Sequence, residues 1–260
     1  MSRFKIGVMS DCFNLGPEGG VLRAAELGAE GVQIWTTSGK MSPEEMAKED
    51  RKKFRAFCAK ADVVISALCG DIGGYMDAAT NPERVRRSKL ILDLAVDLGT
   101  EVVTTHIGEV PADPKHPTYQ TMLAACREVA LHGEDIGVTW AVETGPETGE
   151  ILARFLDDVD SSGIGVNLDP ANLVMCAGDN PASAVRALGE YIVHTHAKDG
   201  HKVPGGYLEV PLGEGGVNWT EYLDALEEIG YEGFLTIERE VGADPGADIA
   251  KAVTFLKGKV

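Results

Sequence analysis

Positive charge is scarce in this chain. Across 260 residues, 24 Lys and Arg face 41 Asp and Glu, a formal net charge of −17. Nucleic acids and anionic membrane surfaces are polyanions held mainly by Lys and Arg, so this balance argues against both as partners. Long apolar runs are missing too, and none approaches the roughly 18 residues of a membrane span. The opening Met1-Ser2-Arg3-Phe4-Lys5 lacks the apolar block of a signal peptide. The five cysteines (Cys12, Cys58, Cys69, Cys126 and Cys176) are scattered, and none sits in a C-x-x-C pair. This speaks against a disulfide framework or a zinc-thiolate site and fits a reducing cytoplasm. A phosphate-cradling glycine loop is also absent. The first apolar run is followed by Ser10-Asp11-Cys12-Phe13-Asn14-Leu15-Gly16, with no G-x-G-x-x-G and no Walker lysine.

What is present is a regular alternation. Short β-branched runs, Lys5–Met9, Gly31–Trp35, Asp62–Leu68, Glu101–Thr105, Val138–Glu143, Gly163–Asp169, Tyr191–His196 and Gly233–Glu238, alternate with amphipathic helical segments. Ser42-Pro43-Glu44-Glu45 reads as an N-cap, a proline at N1 and a capping-box glutamate. Asn81-Pro82 opens a second helix with Val85, Leu92, Ala95 and Val96 on its apolar face, ending at Gly99. Asn218 opens a third helix, with Glu221 at N3 and Gly230 at its end. About eight strand–helix units match a single-domain (β/α)8 TIM barrel over residues 1–260, preferred here over an open doubly wound sheet.

In such a barrel, chemistry sits where strands end and βα loops begin. The strand ends offer Ser10 and Asp11, then Trp35, Cys69, His106, Glu143, Asp169, His196 and Glu238. Each of the last four is an apolar run closed by a carboxylate or an imidazole. A lone glutamate there is ordinarily a solvated loop residue, and Asp169 before Pro170 is an ordinary turn former. Four such residues on four successive strands are a stronger signal than any one of them. Three carboxylates buried at one mouth would repel each other and lose hydration, and a divalent cation removes both penalties. The oxygen-rich set with one nitrogen suits manganese, magnesium, cobalt or zinc without choosing among them. His194 and His196 share strand parity, so both side chains can point inward.

At these residues the sequence resembles the xylose-isomerase-like TIM-barrel superfamily of sugar (phosphate) isomerases and epimerases. The resemblance runs over essentially the whole chain. It rests on Val142-Glu143-Thr144-Gly145, Asn167-Leu168-Asp169-Pro170-Ala171-Asn172, His194-Thr195-His196-Ala197-Lys198-Asp199, Pro211-Leu212-Gly213-Glu214-Gly215 and Thr236-Ile237-Glu238. It implies one divalent metal held by Glu143, Asp169, His196 and Glu238. The second histidine of H-x-H is the ligand in the family's ketose epimerases, which selects His196. It further implies that Glu143 and Glu238 act as acid and base on a sugar or polyol, through a metal-stabilised enediolate. Association into homo-oligomers is common among such barrels.

Two positions depart from the epimerase pattern. Asn172 stands where a substrate-binding histidine often lies, and Lys198 and Asp199 follow H-x-H where an arginine is expected. The H-x-H-x-K-D run looks closer to less characterised isomerases and to the inosose dehydratase branch, whose chemistry is a lyase reaction. A non-catalytic sugar-binding barrel is a further alternative. The superfamily's endonuclease IV needs extra histidines where Cys69 and Asn172 stand. Further substrate contacts are expected from His106 and Trp35, from Glu147 on the first turn of the next helix, and from Asn172 and Lys198. Lys198 has Asp199 as an alternative partner.

Overall fold

The computed structural model describes residues 3–259. Every apolar run identified above forms a strand: β1 (Lys5–Met9), β2 (Gly31–Trp35), β3 (Val64–Cys69), β4 (Val102–Thr105), β5 (Thr139–Glu143), β6 (Ile164–Leu168), β7 (Ile192–Ala197) and, last in the chain, β10 (Phe234–Ile237). All pair in parallel with their neighbours, and β1 pairs with both β2 and β10, which closes the barrel. Closure leaves no edge strand, and the helices cover the outside. Two strands were not foreseen, β8 (Asp199–Val203) and β9 (Gly206–Val210). They form an antiparallel hairpin after β7, turning at Pro204-Gly205, where Gly205 has a φ of +83°. Pro followed by Gly in that left-handed position is a type II turn signature.

The helices α1 (Gly16–Leu27), α2 (Lys48–Lys60), α3 (Asn81–Leu98), α4 (Pro117–Ile136), α5 (Gly149–Val159), the short α6 (Pro170–Asn172), α7 (Pro181–Leu188), α8 (Trp219–Glu228) and α9 (Pro245–Lys257) pack around the strands. The helix α3 begins at Asn81 and stops at Gly99 as expected. Asn218 caps α8 by accepting from the Glu221 N–H. The expected helix at Ser42 is instead a turn: the N–H groups of Glu45 and Met46 both donate to the Ser42 carbonyl, and α2 starts only at Lys48. Met41 and Met46 are both buried there, and Arg51 donates to the carbonyls of Pro43 and Met46, holding the turn against helix extension. Val85, Leu92 and Ala95 face the core, whereas Val96 is 48% exposed because the helical stripe rotates past it.

Trp140, Phe155, Leu92 and Leu94 lie fully buried between barrel and helices. The barrel interior is partly polar, with Gln33, Thr104, Asn167, His194 and Thr236 all buried. Small residues make room for them. A Cβ on Gly7 would come within 2.7 Å of the Thr236 hydroxyl.

Candidate metal centre

The carboxyl ends of β5, β6, β7 and β10 bring Glu143, Asp169, His196 and Glu238 to one place. One ligand atom from each lies within 4.8 Å of all the others, and all four side chains are buried. His196 Nδ1 is 3.3 Å from Glu238 Oε2, 3.5 Å from Glu143 Oε1 and 3.9 Å from Asp169 Oδ2. Ligands on opposite sides of an ion at about 2.2 Å stand roughly 4.4 Å apart, close to this span. Asp169 divides its labour. Its Oδ1 accepts from the N–H groups of Ala171 and Asn172 at the start of α6, while its Oδ2 is buried and makes no hydrogen bond. An orphaned carboxylate oxygen facing two more carboxylates and an imidazole fits a cation.

The protonation states carry the same strain. Burial pushes Asp169 up to about 7, with Glu143 and Glu238 adding to the rise and Lys198 opposing it. Burial alone would lower His196, but Glu143 and Glu238 outweigh it and hold its pKa well above the usual imidazole value. Burial likewise works to raise both glutamates. His106 and His196 bring Glu143 below its ordinary value, and Lys198 and His196 bring Glu238 well below. The crowding of carboxylates that favours protons on Asp169 and His196 is the same crowding that a bound cation would relieve.

Within the cluster, His196 and Glu143 are positioned by Gln33, which the sequence reading did not single out, and by Asn167 and His194, which it named without this role. His196 Nε2 meets Gln33 Oε1 at 2.9 Å, so the Nε2–H donates to Gln33 and Nδ1 is the nitrogen that faces the cluster. Asn167 donates to Glu143 Oε2 at 3.1 Å and accepts from His194 Nδ1 at 2.8 Å. His194 Nε2 meets the Thr236 hydroxyl at 2.9 Å, so this histidine lies one layer below the cluster. Burial and the neighbouring His196 keep its pKa well below the ordinary value. Gln33 and Asn167 each follow a register shift, with Ser66 and Val193 as the extra residues in β3 and β7. The sequence signal for Gln33 is only a polar residue inside a buried strand.

Of the expected substrate contacts, Trp35, His106, Asn172 and Lys198 line a small cavity of about 180 Å³ over the cluster. Asn172 also donates to Glu143 Oε1 at 3.0 Å. His106 lies between two carboxylates, Asp71 at 2.9 Å and Glu143 at 3.5 Å, and Glu143 leads the effects that push it up to about 10. The Lys198 Nζ sits 2.7 Å from Glu238 Oε2 and 3.3 Å from Glu240 Oε2. It makes no pair with Asp199. That carboxylate instead accepts from the N–H groups of Gly200, Gly213 and Val217 and from Trp219 Nε1, fastening the Pro211–Gly215 loop. Glu147 precedes α5 rather than lying on it, since Thr148 is the cap. Its buried carboxylate accepts from the Val110 N–H and does not line this cavity. Arg239, directly after Glu238, is buried against Glu209 and Asp248.

A wider cavity of about 570 Å³ continues outward from the small one, roofed by the β8–β9 hairpin through Tyr207, Leu208 and Glu209.

Fold and cluster together define a (β/α)8 barrel whose mouth could hold a metal ion in a Glu-Asp-His-Glu set. The chain belongs to the xylose isomerase-like TIM barrel family, whose sequence model matches residues 21–259. A xylose isomerase domain protein from Planctomyces limnophilus shares its structure at a TM-score of 0.87, with 30% identity over 98% of this chain and 96% of that one. An uncharacterized protein of Methanocaldococcus jannaschii is 29% identical over 70% of this chain. D-psicose 3-epimerase of Ruminiclostridium cellulolyticum is 28% identical over 52% of it. L-ribulose-5-phosphate 3-epimerase of Escherichia coli is 38% identical over 27% of it. The matches span 65%, 46% and 25% of those three relatives. Among the described residues, no helix is long and apolar enough to cross a membrane.

Proposed function

We propose that this protein is a divalent-metal-dependent sugar isomerase or epimerase. The observation that carries the reading is the meeting of two differently held glutamates, Glu143 and Glu238, with Asp169 and His196 in one buried cluster beneath a cavity. The names of two relatives support it, one a 3-epimerase of a free sugar and the other a 3-epimerase of a sugar phosphate. Glu143, Asp169, His196 and Glu238 would hold the ion. When bound, such an ion polarises a carbonyl and offsets the negative charge that develops beside it.

The remaining work falls to side chains. Trp35 and His106 wall the cavity in which a ketose would lie. Lys198 keeps Glu238 ionised and ready to take the proton from the carbon beside the carbonyl. Glu143, within reach of the amides of Asn167 and Asn172, would have to enter this step protonated; it then gives its proton to the substrate and ends ionised, while Glu238 ends carrying the abstracted one. Return to the opposite face of the same carbon is epimerisation; return to the former carbonyl carbon, with the neighbouring hydroxyl proton passing to the former carbonyl oxygen so that the carbonyl moves, is isomerisation. Two carboxylates in unlike surroundings have unlike proton affinities, which separates the two roles.

The test is incubation with manganese and a panel of ketoses and inososes in deuterated water. Solvent deuterium at a substrate carbon establishes proton abstraction. Loss of a hydroxyl instead makes the protein a dehydratase-like lyase. Binding with neither outcome makes it a sugar-binding barrel and sinks the reading.

A further inference from the structure

In barrels of this architecture, a substrate phosphate is frequently taken by the loops after the seventh and eighth barrel strands and by a nearby helix N-terminus. Here several of those donors are engaged by the protein's own carboxylates. After β7, the N–H groups of Gly200, Gly213 and Val217 point to Asp199. After β10, the Ala247 N–H at the start of α9 is taken by Asp244, and Asp248 on the same turn holds Arg239. The start of α6 is taken by Asp169, and the Gly149 N–H that opens α5 goes to Asp179.

The side-chain cations are committed too. Among the residues lining the two cavities, only His106 and Lys198 carry a basic group. His106 is held between Asp71 and Glu143. Lys198 is ringed by Glu238, Glu240 and Glu209 at 2.7, 3.3 and 3.9 Å. Glu209 also takes Arg239 at 2.8 Å. The carboxylates of Glu143, Asp169, Glu238, Glu209, Glu240 and Asp248 outweigh Lys198, Arg239 and an added dipositive ion by two charges. An anionic group on the substrate would meet a net negative field in which both basic side chains are already paired with carboxylates. Beyond the cluster the walls turn apolar, with Pro146, Met175, Tyr207, Leu208 and Val241.

We infer that the mouth takes an uncharged polyhydroxylated substrate and rejects phosphate esters, and that Glu209 and Glu240, by occupying Lys198 and Arg239, impose this choice. The inference rests on the sugar reading above and narrows its substrate class.

The experiment is calorimetric titration of the manganese-loaded protein with free ketopentoses and ketohexoses and with their terminal phosphate esters. The expected result is that at least one free sugar binds and its ester binds more weakly. An ester that binds as tightly as its parent, or more tightly, overturns the inference and leaves the sugar reading standing. If no sugar binds in either form, the sugar reading fails and the inference falls with it. A second arm uses Glu240→Lys, at a side chain 51% exposed, with circular dichroism to check that the variant is folded. It should shrink the ester's disadvantage by about tenfold, the worth of one charge-assisted contact. An unchanged ratio would remove Glu240 from the role.

Discussion

His196 and Gln33 meet across the barrel at 2.9 Å, although 163 residues separate them in the chain. The orientation of Gln33 follows from its other contact, because its amide Nε2 donates to the Thr104 hydroxyl at 2.7 Å. The carbonyl oxygen therefore faces the imidazole and accepts its Nε2–H, so Nδ1 is the nitrogen that faces the carboxylates and the one that would bind an ion on losing its proton. Gln33→Leu should weaken metal binding by roughly 10–100-fold, the usual cost of losing a partner behind a ligand. His196→Ala should weaken it more, whereas His194→Ala should keep the metal. Metal content after dialysis ranks the three variants, and a His194→Ala protein that loses metal while His196→Ala retains it would reverse the assignment.

Glu143→Gln and Glu238→Gln keep shape and remove proton exchange. Each should lower kcat by roughly 10²–10⁴-fold, the usual contribution of a positioned acid or base. Circular dichroism should show an unchanged fold. Near-normal turnover in either variant removes that glutamate from the chemistry.

Asp169 Oδ2 has no hydrogen-bond partner, so a divalent ion should stabilise the fold directly. At an ion concentration a hundred times the Kd, the gain is about 2.7 kcal/mol. For a chain of this size that is a rise of roughly 5–10 °C in melting temperature. Melting with manganese and with a chelator measures it. Asp169→Asn should abolish most of the difference, and an equal shift in that variant would place the ion elsewhere.

Burial pushes Glu147 from its ordinary value of 4.5 up to about 7. Between those values the folded chain keeps a proton that the unfolded chain releases. This group's contribution to stability therefore falls as pH rises through that window and is constant above it. Glu147→Gln removes the decline, so it should match the wild type near pH 4 and exceed it near pH 8 by on the order of 2 kcal/mol. Urea unfolding at both pH values decides, and parallel curves would show that the carboxyl ionises freely.

Asp199 accepts four hydrogen bonds from the segment that follows β7. Asp199→Ala strands those donors and should cost roughly 2–4 kcal/mol. Hydrogen exchange should rise first at residues 211–218, and unaltered protection there would deny the loop its dependence on Asp199.

Local pattern carries far in this protein. The eight strands were readable because a barrel strand buried on both faces is an uninterrupted apolar run, and α3 and α8 because their caps and terminal glycines are local chemistry. The strand-end residues Glu143, Asp169, His196 and Glu238 followed from the same pattern, since a strand's last position faces the mouth. The helix expected at Ser42 failed because Arg51, nine residues on, pins the turn's carbonyls. The hairpin over residues 199–210 was missed because its exposed residues carry no apolar run, only the Pro204-Gly205 turn.

The sequence by itself therefore determined the repeat of strand and helix, the closed barrel that repeat builds, and which four side chains stand at the last four strand ends. Only the tertiary structure decided that Gln33 backs His196, that Asn167 ties Glu143 to His194, and that Lys198 is claimed by Glu238 and Glu240 rather than by Asp199. The reason is that periodicity is set by neighbours along the chain. Contacts across a barrel depend instead on strand register, on the extra residues Ser66 and Val193, and on which strands closure brings face to face.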